Sequence, residues 1–98
     1  MARVVYSRNA LSNLERAFSF LGDAAPEAAL RAVQAISTAV NTLEHHPLIG
    51  RRLRGDLREL VISFGRTGYI ALYRFIPGRD VVRILAIRHQ RELDYTED

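Results

Sequence analysis

Hydrophobic spacing turns from a helical to a strand period at Pro47-Leu48-Ile49-Gly50, and that change divides what the two halves can become. Upstream, Leu11, Leu14, Phe18 and Leu21 recur at spacings of three, four and three. Leu30, Val33, Ile36, Val40 and Leu43 follow with the same periodicity. Such spacing lays side chains along one stripe of a helix. Downstream, Leu57–Phe64, Tyr69–Ile76 and Val81–Arg88 are short runs of β-branched and aromatic residues, which favour strands. A chain that places its helices before most of its strands must pack one layer on the other, an α+β arrangement.

Local signals set the expected boundaries. Arg3-Val4-Val5-Tyr6 reads as an opening strand and Ser7 as a helix N-cap. Gly22 is a stop signal for the first helix. Pro26 suits the first turn of the second helix, and Glu27 suits its positive end. Alanines at positions 28, 29, 32, 35 and 39 add helix propensity and allow close approach. Pro47 is expected to end that helix. The short link from Gly22 to Ala25 makes the two helices an antiparallel hairpin. Arg51-Arg52-Leu53-Arg54-Gly55 reads as an exposed basic loop, Gly65-Arg66-Thr67-Gly68 as a turn and Pro77-Gly78-Arg79-Asp80 as a hairpin loop. His89–Asp98 reads as a polar tail. The predicted order is β-α-α-β-β-β in one domain over residues 1–98, with an antiparallel sheet carrying the helical hairpin on one face.

Charge is distributed unevenly. All 14 basic side chains are arginine. Residues 1–50 are neutral overall, residues 51–91 carry a net +7, and residues 92–98 carry −4. Arginine stays charged and pairs in bidentate fashion with carboxylates or phosphates, so the basic stretch suits an acidic partner or nucleic acid. The absence of cysteine excludes disulfides and thiolate metal sites. No run of about 18 apolar residues marks a membrane span. The start, Met1-Ala2-Arg3-Val4-Val5-Tyr6, lacks the apolar stretch of a signal peptide, so a cytoplasmic location is expected.

Few side chains suggest chemistry. His45 and His46 sit at a helix C-terminus and, being adjacent, point apart, which disfavours a shared metal. His89, between Arg88 and Gln90, suits either proton transfer or orientation of the tail. Tyr95 suits base stacking, proton transfer or packing, whereas Tyr69 and Tyr73 read as packing residues within a strand. Asp56 and Glu59 adjoin Arg54 and Arg58, so ion pairing is their expected role. There is no Gly-rich phosphate loop, zinc spacing or nucleophile elbow, and no cofactor or metal is expected.

Several segments, in order, resemble the RelE/ParE family of toxins. They are the strand followed by Ser7-Arg8-Asn9-Ala10, the turn His46-Pro47-Leu48-Ile49-Gly50-Arg51, the strand Leu57-Arg58-Glu59-Leu60, the strand Gly68-Tyr69-Ile70-Ala71-Leu72-Tyr73-Arg74, and the closing Ile84-Leu85-Ala86-Ile87-Arg88-His89-Gln90-Arg91. The resemblance implies a type II toxin neutralised by a small antitoxin. RelE-like members cleave mRNA on the ribosome and ParE-like members inhibit DNA gyrase, so a shared fold leaves the target open. It also implies which residues a nuclease would use. Where such nucleases carry two lysines, this chain has Val61-Ile62-Ser63, and where they carry an arginine it has Ile70. Aliphatic groups cannot stabilise a developing phosphorane charge. Arg88, His89, Arg91 and Tyr95 remain as the nuclease candidates.

The expected function is therefore a ParE-like toxin that binds gyrase through Arg51, Arg52, Arg54, Arg58, Arg74 and Arg88 and is held by an antitoxin. The alternatives are a ribosome-dependent mRNA nuclease and a non-toxic remnant that only binds antitoxin. Antitoxin is expected to use an apolar groove beside the helical hairpin together with arginines of the sheet.

Overall fold

The computed structural model describes residues 1–65, 67–91 and 95. The chain runs β1 (Arg3–Tyr6), α1 (Arg8–Ala24), α2 (Pro26–Asn41), β2 (Arg51–Arg54), β3 (Leu57–Phe64), β4 (Thr67–Ile76) and β5 (Val81–His89). The sheet order is β1-β5-β4-β3-β2, with both helices packed on one face. The fold is α+β, as the segregated periodicities require. Among the described residues, no helix is long and apolar enough to cross a membrane.

Several boundaries differ from the sequence reading; β4 begins at Thr67 and β5 extends to His89, and three further differences have a clear cause. Arg51–Arg54 is a strand, not a loop, and pairs antiparallel with the start of β3. Its tight connection through Gly55, at φ +54, needs the left-handed backbone that glycine adopts freely. α1 continues past Gly22 to Ala24, because the Ala25 N–H still reaches the Leu21 carbonyl. α2 ends at Asn41 and tightens into a 3-10 turn over Thr42–Glu44, before Pro47 is reached.

The sheet is mixed and not wholly antiparallel. β3, β4 and β5 form the expected antiparallel meander, but β1 joins the edge of β5 in parallel, with Arg3 opposite Val81 and Tyr6 opposite Ile84. The helical hairpin supplies the long crossover that a parallel neighbour requires.

The core lies between the helices and the sheet. Ile36, Val40 and Leu43 meet Ile62, Tyr73, Val82 and Ile84 there. On α1 the inward stripe is Ala10, Asn13, Leu14, Ala17 and Leu21; Leu11 and Phe18, read as stripe members, are exposed. Leu30 of α2 is exposed as well. The helix carries more apolar side chains than its buried face can hold.

Candidate functional site

A bulge in β5 decides which residues face which side of the sheet. Leu72 pairs with Ala86 and Tyr73 with Ile84, so Leu85 has no partner of its own. α1 supports the extra residue. The Ser7 hydroxyl and the Asn9 side-chain amide both donate to the Leu85 carbonyl, at 3.0 and 3.2 Å. Ser7 also caps α1 by accepting from Ala10 N. The Ile87 N–H donates 2.8 Å to Oδ1 of Asn13, a residue 4% exposed. Side chains alternate along a strand, and an added residue reverses the alternation. Val82 and Ile84 face the helices before the bulge; Ile87 and His89 do so after it. Arg88 is thereby turned to the open face.

Arg88 and His89 consequently occupy opposite sides of the sheet. His89 lies edge-on to Tyr69, with ring centroids 5.4 Å apart. Its Nδ1 accepts from the backbone N–H of Arg91 at 3.2 Å, and its Nε2 lies 3.2 Å from the Thr67 hydroxyl. A ring nitrogen that accepts an N–H carries no proton, so this geometry fits the neutral tautomer protonated at Nε2. Beside His89, a cleft of about 440 Å³ opens between α1 and the sheet, walled by Arg16, Ala17, Phe20, Tyr69 and Ile87.

On the open face, Arg88 lies over the Tyr95 ring, 5.0 Å from its centroid. The Tyr95 hydroxyl donates a short hydrogen bond to Glu59 Oε2, and Arg51 Nη2 donates to Oε1 of the same carboxylate at 2.7 Å. Glu59 is 6% exposed. Burial would raise its carboxyl, but the hydrogen bonds from Tyr95 and Arg51 and the charges of Arg51 and Arg88 outweigh it and hold the group below the usual carboxylate range. Burial and the Glu59 carboxylate push the Tyr95 phenol strongly upward, against a smaller opposing pull from Arg88. Tyr95 is therefore a proton donor here and a poor base.

The remaining arginines disperse. Arg58 faces the helix side, where its Nη1 donates to the carbonyls of Leu48 and Gly50 and pins the turn before β2. Tyr73 braces the same turn: its hydroxyl donates to the Pro47 carbonyl and accepts from Gly50 N, both at 2.8 Å. A Cβ on Gly50 would lie 2.6 Å from that ring, which is why only glycine fits there. Arg74 pairs with Asp56 at 3.0 Å, and Arg52 Nε donates to the Gly55 carbonyl. Arg54 is exposed. Of the six arginines expected to form one surface, Arg51 and Arg88 share the Glu59–Tyr95 cluster, whereas Arg58 and Arg74 are occupied structurally. Arg91 contributes its backbone N–H to His89 and is otherwise exposed. His45 and His46 are exposed beyond the 3-10 turn. The two acids are ion-paired as expected, but with Arg51 and Arg74, not with the neighbouring Arg54 and Arg58. The acidic tail residues 92–94 and 96–98 lie outside the described residues.

The sequence reading took Glu59 only as an ion-pair partner, not as the centre of a buried cluster, and it missed Asn13. An acid between the apolar residues of a strand is a signal for the first, and Ser7, Asn9 and Asn13 in one helix-start segment are a signal for the second.

Comparison with known proteins fits this architecture. Residues 4–94 match the family model described as the ParE toxin of the type II toxin-antitoxin system, parDE. The chain is 41% identical over 86 residues to toxin RelE3 of Caulobacter vibrioides, covering 88% of each protein. It is 34% identical to toxin RelE2 of the same organism, covering 95% of this chain and all of that one. Among solved structures it is similar to the chromosomal ParDE system of P. aeruginosa, with TM-score 0.72 and 26% identity, covering 91% of this chain and 96% of that one. The intact E. coli RelBE complex shares the fold, with TM-score 0.63 at 18% identity, covering 94% of this chain and 100% of that one. With a family match across nearly its whole length and close relatives that are toxins, the chain belongs to the RelE/ParE superfamily of toxins from type II toxin–antitoxin systems.

Proposed function

We propose that this toxin arrests growth in the cytoplasm by binding DNA gyrase rather than by cutting RNA, and that a cognate antitoxin neutralises it. The observation carrying this reading is the division of the nuclease candidates between two faces of the sheet. Arg88 and Tyr95 are on the open face, and His89 is turned into the cleft beside α1. Cleavage at a 2′-hydroxyl needs a base and a cation held against one phosphate. On the open face, Tyr95 holds its proton and Glu59 accepts hydrogen bonds on both oxygens. The register sets Val61, Ile70 and Arg88 side by side, so a single cation serves that row. A supercoiling assay with purified protein tests the proposal. Inhibition with stabilised DNA cleavage is expected, and neither effect at micromolar toxin sinks it.

One observation favours the nuclease reading: Arg51, Glu59, Arg88 and Tyr95 form a single connected cluster. That reading predicts ribosome-dependent mRNA cleavage lost in Tyr95→Phe or Arg88→Ala. Cells that arrest with no new mRNA ends exclude it. Expression without antitoxin that leaves growth unchanged would instead identify a remnant.

The antitoxin is expected to present an acidic, partly apolar segment to the arginines and to the cleft beside α1. Its affinity should fall as salt rises. Solved relatives are toxin–antitoxin complexes, which supports this partner.

A further inference from the structure

β5 changes neighbours halfway along its length. β1 ends at Tyr6, opposite Ile84, and the Ser7 N–H makes the last main-chain bond on that side, 2.8 Å to the Ile84 carbonyl. From Leu85 onward no strand among the described residues flanks β5 on the side away from β4. The start of α1 stands there instead, and it brings side-chain donors to the edge of the strand.

The end of β5 has two ways to lie against β4. With the bulge, Ala86, Ile87 and Arg88 stand opposite Leu72, Ala71 and Ile70. Without it, a slip of one residue sets Leu85, Ala86, Ile87 and Arg88 opposite Leu72, Ala71, Ile70 and Tyr69. Every side chain after Leu85 then changes face. Arg88 leaves Tyr95 and Glu59 and points into the cleft beside Tyr69. Ile87 joins Ile70 and Val61 in an aliphatic row, so both faces offer these side chains a tolerable place. The Asn13 bond serves either register, because Ala86 brings its own N–H to the place that Ile87 holds. The Leu85 carbonyl is what differs. In the slipped register it bonds within the β4 ladder. In the bulge it turns outward and needs other donors. The Ser7 hydroxyl at 3.0 Å and the Asn9 amide at 3.2 Å are those donors.

We propose that Ser7 and Asn9 are positioning residues for the toxin's contact with its target. By holding the Leu85 carbonyl they fix the bulge, and the bulge sets Arg88 on the open face. Neither residue touches the target. The inference rests on the reading above in which Arg88 does.

Removing the donors and removing the bulge test this together. In Ser7→Asp a carboxylate still caps α1 but cannot donate to Leu85, and Asn9→Ala removes the second donor. The double variant should inhibit gyrase supercoiling about tenfold more weakly, as expected when a charged contact is misplaced. Its NMR spectra should lose the cross-strand contact of Arg88 with Ile70 and gain one with Tyr69. Deleting Leu85 takes away the residue that needs the clamp. Regular alternation from Ile84 then still turns Ala86 and Arg88 to the open face. The deletion should therefore inhibit like wild type, and adding the two substitutions to it should cost less than about twofold. A role in stability alone would lower inhibition in both backgrounds. An equal loss in both, or a folded double variant that keeps Arg88 opposite Ile70, overturns the proposal. Should the double variant fail to fold, Asn9→Ala alone carries the same comparison; should the deletion fail to fold, the partner of Arg88 in the clamp variants decides. A wild-type toxin without effect on gyrase defeats the reading above, while the partner of Arg88 still decides this inference.

Discussion

On the helix-covered face of the sheet, Tyr73, Val82 and Ile84 are fully buried against Ile36, Val40 and Leu43. The one phenol in that group is satisfied by a turn: Tyr73 bonds Pro47 and Gly50. On the open face the buried group is a carboxylate, Glu59, held by Arg51 and Tyr95 with Arg88 close by. The first face is organised by volume and the second by charge. Steric packing is insensitive to pH and salt, whereas a charge cluster responds to both.

Substitutions that separate the two faces should differ in size and in conditions. The largest effect belongs to the core. Ile84→Ala removes a side chain with no exposure and should lower unfolding free energy in urea by about 2–5 kcal/mol, independent of pH. Tyr73→Phe should cost about 1–3 kcal/mol by leaving the Gly50 N–H and Pro47 carbonyl short of a partner, measured in the same way. An unchanged midpoint would show that water replaces the hydroxyl.

Glu59 should behave differently. Its carboxyl titrates below its ordinary value of 4.5, so its charged form stabilises the folded state. That contribution is fully present above the ordinary carboxylate range and is lost as pH falls through the depressed folded value. Glu59→Gln should lose about 1 kcal/mol at neutral pH, a modest figure because Arg51 is largely exposed. The gap between wild type and variant should close on acidification below pH 4.5 in paired urea titrations. A gap constant down to pH 3 would show that shape, not charge, matters at this position (about one to two units below a free carboxylate). The smallest effect is expected for Arg74→Ala, whose exposed pair with Asp56 should contribute no more than about 0.5 kcal/mol and vanish in high salt.

The legibility of the chain follows the same division. Strand and helix identity were readable because burial imposes a period on the residues that make it. Leu57–Phe64 and the stripe Ile36, Val40 and Leu43 along α2 and the 3-10 turn after it show that correspondence directly. The α1 stripe misled because Leu11 and Phe18 have helical spacing yet lie on the outer surface. Small residues, Ala10 and Ala17, occupy the close helix–sheet contact instead. β2 escaped notice because Arg51–Arg54 is exposed throughout and carries no apolar alternation.

The candidate site was only half legible. Arg88, His89, Arg91 and Tyr95 were grouped as candidates; Arg88 and Tyr95 are in contact, whereas His89, next to Arg88 in sequence, is on the other side. One unpaired residue, Leu85, separates those outcomes, and its cause lies in α1, where Ser7, Asn9 and Asn13 take up the backbone groups released by the bulge.

By itself the sequence determined the α+β class, the helical hairpin, the meander and the toxin family, because local propensity and ordered motifs are properties of neighbouring residues. Only the tertiary structure decided that β1 lies parallel to β5, that Glu59 joins Arg51 to Tyr95, and that Arg88 and His89 face apart. Each of these depends on register between segments far apart in the chain, where a shift of one residue exchanges the two faces of a strand.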